Sequence, residues 1–474
     1  MRRTLLLLLV LAATGAWLIA GADQGLRREH VVATGVPLDV VHPSGDGRRP
    51  GVVVAHGYSG SARMMAPFGD SLAARGYVVV MLDFTGHGAN TRPMAPGTTD
   101  MLQPDLDAAV AHLRSLPDVD PSKIALVGHS MGGGAVTRYA AGHPDITATV
   151  AISMPDATVA TAEQPARLLT MAGALEFPSF RAVATSVAGA RADREARIVS
   201  GVEHITILFA PETHRETAAW LDNAFGGAPD NGAIPFPGRR LTGAMLLVLA
   251  FFIGLHPLAS LLGGTPGTPW PRLPSLAATV RVVVVTTTAA VPSAVIARFL
   301  PTNHLPLAIA GYVAGFAAVC GTLLFAYARK RSRGTRRNRP QLLVVLPYAI
   351  LAAGAPVHFG LTHAWPVGPR WWLLPIVWAG FALLAYGAEL SADDNPLLLL
   401  PIAAVVVVVL VAAAAVNLTS GFVALIVAPM IALLIWQALW SVVLRRFATP
   451  TWLIALTGSA VVAWPLAVAL PLTT

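Results

Sequence analysis

The sequence predicts an α/β fold, a mostly parallel sheet flanked by helices, followed by an all-α polytopic membrane domain. Two patterns in the 474 residues indicate this division. Between residues 30 and 226, short apolar, β-branched runs alternate with helix-forming stretches, which is typical of parallel strands joined by crossover helices. From residue 243 onward, long apolar runs replace the alternation.

The alternating part defines the elements of the predicted sheet. Its strand runs are 31–41, 51–55, 77–82, 124–128, 147–152, 166–172 and 196–200, and its helical stretches include 61–75, 101–115, 131–142 and 212–225. A glycine-, proline-, asparagine- and aspartate-rich stretch follows at 226–240, and such a composition favours a linker. We therefore expect one domain at 23–228 and a linker at 229–242.

The second part reads as about eight transmembrane helices within a membrane domain at 243–474. The apolar runs are 243–262, 276–297, 305–327, 341–362, 372–390, 396–416, 421–443 and 451–471. Each is close to the ~20 residues that cross ~30 Å of hydrocarbon. Helices in the core of a soluble protein would carry a polar stripe, and residues 405–411 carry none.

The N-terminal residues 1–22 have the features of an export signal. Arg2 and Arg3 precede a leucine-rich run that ends in Ala20-Gly21-Ala22. This pattern is typical of a secretory signal peptide, and the run is also long enough for an uncleaved membrane anchor. Either interpretation predicts that the following domain is exported.

The distribution of charge supports that orientation and sets one class of function aside. Residues 23–240 hold 18 basic and 22 acidic side chains, so the domain lacks the basic surface that nucleic-acid binding requires. With a cytoplasmic N-terminus, 13 basic residues fall on cytoplasmic segments, seven of them at 329–339. Four lie outside near the membrane: Arg239, Arg240, Arg298 and Arg370. The positive-inside rule thus predicts a multi-pass protein of the cell membrane whose 23–228 domain is extracytoplasmic.

A short motif inside the alternating part predicts a nucleophile. Gly128-His129-Ser130-Met131-Gly132 fits the G-x-S-x-G nucleophile elbow, in which a sharp turn lifts a serine hydroxyl above the end of a sheet. An apolar strand run precedes it and an alanine-rich helical stretch follows, which is the strand–turn–helix context the motif requires.

Acyl transfer at Ser130 needs a base, an acid that orients the base, and donors for the oxyanion. His204, after the 196–200 run, is the predicted base, with His214 as its rival. Glu176, after the 166–172 run, is the predicted acid, and Asp156 is the alternative acid. The backbone N–H groups of Met131 and Tyr58 are the predicted oxyanion donors.

Residues 30–226 resemble the α/β-hydrolase superfamily. The resemblance is carried by His56-Gly57, by Asp83-Phe84-Thr85-Gly86-His87-Gly88, by Asp118 to Lys123 leading into the elbow, and by Gly173-x-x-Glu176 with His204. It implies a serine hydrolase and a loop-forming role for His87. His56 is expected to pack and hydrogen-bond rather than to act as a second base, and the acyl-enzyme mechanism needs no metal or organic cofactor. Glu176 departs from the pattern of the superfamily, in which the acid is usually an aspartate. The short gap at 153–166 leaves no room for a large helical cap, so we expect an open site.

These observations predict a membrane-bound serine hydrolase that cleaves an ester or amide bond in a small-molecule or lipid acyl substrate. The alternatives are a cell-envelope acyltransferase that uses the same acyl-enzyme and a non-catalytic membrane binding module. Ionisable residues inside membrane spans are functional candidates, which here are His256, His358, His363 and Glu389. His304, His358 and His363 could bind a lipid head group or could be ordinary interface histidines.

Overall fold

The structure, a computed structural model, describes residues 2–22, 24–95, 99–230, 232–328 and 340–474. The basic cluster at 329–339 therefore lies outside the described residues. The described chain divides into two compact units. We call Gly15–Ala244, His358–His363 and Pro471–Thr474 the sheet unit, and Met1–Thr14, Met245–Val357 and Ala364–Leu470 the helical unit.

The sheet unit contains eight strands among its described residues, in the order β1-β2-β4-β3-β5-β6-β7-β8. They are β1 Arg27–Ala33, β2 Val36–His42, β3 Arg49–Ala55, β4 Val78–Leu82, β5 Val119–His129, β6 Ala148–Ile152, β7 Leu168–Gly173 and β8 Glu195–Val199. β1, β2 and β4 pair antiparallel, whereas the pairs from β4 through β8 are parallel. The predicted mostly parallel sheet is confirmed.

The first predicted strand was wrong in detail. The run 31–41 is the inner part of a hairpin, because Thr34 and Gly35 both adopt a positive φ, at 50° and 78°. Two consecutive residues with positive φ form the tight turn that joins antiparallel strands. Threonine is not a usual residue in such a turn, so the sequence signal for the hairpin was weak.

Helices cover both faces of the sheet. They are α2 Ala66–Ala74, α3 Gln103–Ser115, α4 Met131–Gly142, α5 Pro178–Gly189 and α6 Pro211–Phe225. One core packs alternate strand residues against α2 and α6, and the other packs the intervening residues against α3 and α4. Because both faces are covered, the central strands are nearly continuous in valine, isoleucine and leucine.

Nine helices within the described residues are long and apolar enough to span a membrane. They are α1 Arg2–Ala20, α7 Arg239–Gly263, α8 Leu276–Ala297, α9 Ala310–Ala328, α10 Val345–Gly360, α11 Arg370–Ser391, α12 Leu399–Ala415, α13 Val423–Arg445 and α14 Thr451–Ala469. The predicted all-α membrane part is thus confirmed as a set of candidate spans. α7 begins four residues before the predicted run and includes Arg239 and Arg240.

Small residues bring the helices of the helical unit close together. A Cβ on Gly380 would lie 2.5 Å from the carbonyl oxygen of Ala314, and one on Gly321 would overlap the backbone of Leu383. α9 and α11 therefore approach each other backbone to backbone, as small residues allow in membrane proteins.

Several ionisable residues in the described part of this unit are paired. Glu389 is buried and its Oε2 accepts from Arg445 Nη2 at 2.6 Å, while Arg281 pairs with Asp393 at 2.6 Å. His256 Nε2 lies 3.3 Å from Arg446 Nη1 and its ring stacks on Trp270. Glu389, an intramembrane candidate, is thus one half of an ion pair.

Candidate active site

Ser130 occupies the turn between β5 and α4 with φ 53° and ψ −118°. This is a strained conformation for a residue with a side chain. The flanking glycines are required by sterics: a Cβ on Gly132 would lie 2.5 Å from the carbonyl oxygen of His56, and one on Gly128 would overlap Gly132. The side chain of Ser130 remains partly exposed at the carboxyl edge of the parallel strands.

A hydrogen-bond chain joins Ser130 to two later loops. His204 Nε2 lies 3.0 Å from Ser130 Oγ, and His204 Nδ1 lies 2.7 Å from Glu176 Oε1. If Nδ1 carries its proton toward the carboxylate, Nε2 is left as an acceptor for the serine hydroxyl proton. Since the loops after β5, β7 and β8 all open at one edge of the sheet, residues 130, 176 and 204 meet there.

Glu176 is held as a charged acceptor. Its Oε2 accepts the Gly173 N–H at 2.9 Å, and the side chain is buried. Burial disfavours the carboxylate, but the hydrogen bonds from His204 and the Gly173 amide outweigh burial, so the pKa of Glu176 lies below its ordinary value. The acid next to His204 is therefore ionised at neutral pH.

The loop after β3 lies against the elbow. A Cβ on Gly57 would lie 3.0 Å from Ser130 Cβ, so only glycine permits this approach. Tyr58 follows directly and sits in a turn closed by the Gly60 N–H to Gly57 carbonyl bond at 2.9 Å. Met131 is the first residue of α4, where backbone N–H groups lack intrahelical acceptors. Met131 thus follows Ser130 directly, and Tyr58 follows the glycine that packs against Ser130.

Comparison with known proteins agrees with this arrangement. Residues 47–198 match the family model described as serine aminopeptidase, S33. This part of the chain is an α/β-hydrolase domain. Cutinase 1 of Thermobifida cellulosilytica is 28% identical over 125 residues, which cover 24% of this chain and 43% of that protein.

Two further proteins are similar to part of this chain. The quorum-quenching protein AidA of Acinetobacter baumannii is 31% identical over 110 residues, covering 23% of this chain and 36% of that protein. The chain thus spans less than half the length of these curated relatives. An esterase of Pyrococcus furiosus aligns in structure with a TM-score of 0.37 and 18% identity, covering 44% of this chain and 93% of that one.

The rival residues of the hydrolase domain make other contacts. His214 is buried in α6, where its Nε2 lies 2.9 Å from the Leu208 carbonyl oxygen and its ring stacks on Phe68. Asp156 caps a short 3₁₀ turn, and its two carboxylate oxygens accept from the N–H and hydroxyl of Thr158 at 2.8 and 2.7 Å. Glu176, rather than Asp156, is the carboxylate that contacts His204.

The other histidines near the elbow serve as hydrogen-bonding residues. His56 donates from Nδ1 to the Gly57 carbonyl at 2.7 Å and accepts the Phe84 N–H at Nε2 at 3.1 Å. Burial, and then His87, lower the pKa of His56 to about 3. His87 Nδ1 lies 3.0 Å from the Thr85 carbonyl oxygen within its own loop. Among the described residues no group of three or more His, Cys, Asp or Glu side chains could hold a metal ion.

Sequence reasoning missed two residues that hold His204. His129 Nε2 lies 2.8 Å from the His204 carbonyl oxygen, and burial followed by the nearby His204 lowers the pKa of His129 to about 3, so the neutral ring donates to that carbonyl. The ring of Phe180, in α5, lies 4.8 Å from the His204 ring. His129 occupies the first variable position of G-x-S-x-G, so its place in the motif was the available signal.

Proposed function

We propose that this protein is a membrane-bound serine hydrolase that cleaves ester bonds through an acyl-enzyme on Ser130. The single observation that supports this most is the chain Ser130–His204–Glu176, with both hydrogen bonds at 3.0 Å or less. The strained elbow and the ionised Glu176 are the accompanying features that such chemistry needs.

The reaction follows from the positions of the atoms. His204 Nε2 accepts the hydroxyl proton of Ser130 while Oγ bonds to the acyl carbon of the substrate. The carbonyl oxygen becomes an oxyanion, which the N–H groups of Tyr58 and Met131 stabilise. His204 then protonates the leaving alcohol as the bond to the acyl carbon breaks. Water repeats the sequence to release the acid and restore Ser130.

Glu176 orients His204 and stabilises the imidazolium that forms during both steps. Because the carboxylate accepts Nδ1–H, the ring keeps the tautomer whose Nε2 can take the serine proton. The Gly173 amide holds the other carboxylate oxygen, so the acid keeps its position while the charge on the ring changes.

Large apolar side chains beside these residues favour an apolar acyl or alcohol group. Leu175 and Phe177 flank Glu176 and are 67% and 74% exposed, and Ile205 follows His204 at 42% exposure. Exposed apolar side chains at a binding site contribute binding energy for apolar groups. The relatives named cutinases support the choice of esters over amides.

The experiment is hydrolysis of p-nitrophenyl esters by the full-length protein in detergent. We expect Ser130-dependent turnover that favours medium acyl chains over acetate, abolished in Ser130→Ala and retained in Ser122→Ala on the exposed strand start. Absence of Ser130-dependent turnover on any ester would overturn the proposal. Adding glycerol as an acyl acceptor separates hydrolysis from the acyltransferase alternative.

We also propose that the hydrolase domain faces outside the cytoplasm. The charge asymmetry supports this orientation, and the two exceptions at the start of α7 have partners. Arg240 Nε donates to Asp70 Oδ2 at 2.9 Å, while Arg239 Nε donates to the Leu18 carbonyl at 3.1 Å and its guanidinium lies over Trp17. These contacts account for basic residues on the disfavoured side.

Cysteine labelling tests the orientation with little background, because Cys320, the one cysteine of the sequence, is buried. Asp46→Cys, in an exposed loop of the hydrolase domain, is expected to react with an impermeant maleimide on intact cells. Thr265→Cys, between α7 and α8, is expected to react only after the cells are opened. The reverse pattern would invert the topology.

A further inference from the structure

Two short segments that are distant from the sheet in sequence belong to the sheet unit. Residues 358–363 include the end of α10, and residues 471–474 follow α14. Both contact loops that lie next to the predicted oxyanion donor Tyr58. We refer to residues 56–61 as the oxyanion loop.

The first segment binds the end of the oxyanion loop through Ser61. Ser61 Oγ accepts the N–H of His363 at 3.0 Å and that of Met64 at 3.3 Å, and it lies 2.8 Å from Thr362 Oγ1. Since two N–H groups occupy the lone pairs of Ser61, its own proton is directed to Thr362. Both hydroxyl groups belong to buried residues.

The second segment pairs with the loop after β4, residues 83–94. The Leu472 N–H donates to the Gly86 carbonyl at 2.8 Å, and the Met94 N–H donates to the Leu472 carbonyl at 2.8 Å. The Thr474 N–H donates to the Met94 carbonyl at 3.2 Å. A Cβ on Gly86 would lie 2.5 Å from the Leu472 carbonyl oxygen, so the loop carries glycine where this segment approaches.

The 83–94 loop in turn holds the oxyanion loop. Asp83 Oδ1 accepts the N–H of Ala62, the residue after Ser61, at 2.7 Å. The ring of His87 packs edge-on against the ring of Tyr58, with 5.6 Å between the ring centroids. The segment at 471–474 thus contacts the 83–94 loop, and that loop contacts Tyr58.

We propose that Thr362 and residues 471–474 position the oxyanion loop, so that the Tyr58 N–H meets the developing oxyanion of the substrate. The proposal rests on the proposed function. Oxyanion donors act only within a narrow range of about 2.7–3.1 Å, and loss of one donor costs about 10²–10³ in kcat. If the oxyanion loop loses one of these hydrogen bonds, the Tyr58 N–H is still present but is oriented less precisely toward the oxyanion. Thr362 and Leu472 are positioning residues, because they touch neither the substrate nor the reacting atoms.

The test compares kcat and KM for p-nitrophenyl ester hydrolysis by full-length variants. Thr362→Val keeps the shape of the side chain and removes the hydroxyl, and we expect kcat to fall about tenfold with KM unchanged, which is part of the loss from deleting a donor. Thr362→Ser keeps the hydroxyl and is expected to stay within about twofold of wild type. Thr217→Val is the matched control, since Thr217 is also buried and its hydroxyl group donates within α6, to the Thr213 carbonyl.

Leu472→Pro provides a second, independent variant. It removes the N–H that binds Gly86, and Pro471 already precedes it in the chain. We expect the same fall in kcat at unchanged KM, with a fluorophosphonate probe labelling Ser130 more slowly by a similar factor. Thermal unfolding of each purified variant establishes that it is folded.

The outcomes separate the two proposals. Wild-type protein without Ser130-dependent turnover would defeat the proposed function itself. An active wild type whose Thr362→Val and Leu472→Pro variants keep full kcat would overturn the positioning role alone. The same conclusion would follow if Thr217→Val lost as much kcat as Thr362→Val, or if Thr362→Ser failed to restore it.

Discussion

Glu176 in the sheet unit and Glu389 in the helical unit are both buried carboxylates, 6% and 2% exposed. Their partners differ in kind. Glu389 meets a permanently charged guanidinium through two bonds from Arg445, at 2.9 and 2.6 Å. Glu176 meets an imidazole whose second nitrogen faces a partly exposed serine. The first is an ion pair made through one carboxylate oxygen, whereas the second chain of hydrogen bonds ends on a serine hydroxyl group.

The difference shows that the burial of a charged side chain does not by itself indicate a catalytic role. Intramembrane ionisable residues are functional candidates by default, but a buried carboxylate that is paired with an arginine is a structural element. A carboxylate that orients a titratable group toward a nucleophile marks a site. Substitutions at the two carboxylates and their partners separate these two roles.

Glu176→Gln is expected to lower kcat by about 10³–10⁴-fold, because the neutral amide no longer fixes the Nε2-accepting tautomer of His204. Asp156→Asn is the matched control. Asp156 caps a short turn, so its variant is expected to lose some stability while kcat stays near wild type. Ester kinetics measure both. Loss of kcat in Asp156→Asn with full activity in Glu176→Gln would reassign the acid.

Arg445→Met is expected to destabilise the protein by about 3–5 kcal/mol, because it leaves Glu389 buried without its counter-charge. The exposed Arg298 supplies the control variant Arg298→Met, for which we expect less than about 0.5 kcal/mol. Thermal unfolding in detergent measures the difference. The folded fraction of Arg445→Met should retain wild-type kcat, and a selective loss of kcat would give the pair a role in the reaction.

Acid should destabilise the hydrolase domain before its carboxylates titrate. Burial lowers the pKa of His129 to about 3 and that of His214 to about 4, below the ordinary 6.5. Between pH 6.5 and these lowered pKa values, the two histidines bind protons in the unfolded chain but not in the folded chain. Their contribution to the free energy of unfolding is therefore complete above pH 6.5. It declines as the pH falls below 6.5, by about 1 kcal/mol per histidine per pH unit.

Thermal unfolding of the wild type between pH 7.5 and 5 measures this decline, and His214→Gln is expected to reduce its slope. The carboxylate of Glu176 contributes in a lower window, since its folded pKa is depressed and its stabilisation is lost only below its ordinary pKa. A flat profile down to pH 5 would show that the buried histidines accept protons in the folded state.

The sheet could be predicted from the alternation of apolar runs and helical stretches. The three residues of the site could be predicted because each lies in a loop that follows a strand. Ser130, Glu176 and His204 follow β5, β7 and β8, and parallel strands bring such loops to one edge. The hairpin turn at Thr34 was missed because local propensity opposes it. The contacts of Thr362 and Leu472 could not be predicted, because they join residues about 300 or more positions apart through backbone groups and common polar side chains.

Covalent labelling of the full-length protein with a fluorophosphonate, followed by peptide mass spectrometry, tests the catalytic role of Ser130 most directly. The reagent phosphonylates a serine hydroxyl only where a base removes its proton and an oxyanion site receives the phosphoryl oxygen. We expect one adduct, on the peptide that contains Ser130, which is lost in Ser130→Ala and strongly slowed in His204→Ala. An unlabelled Ser130 in folded protein, or an adduct that persists in Ser130→Ala, would contradict the proposed mechanism.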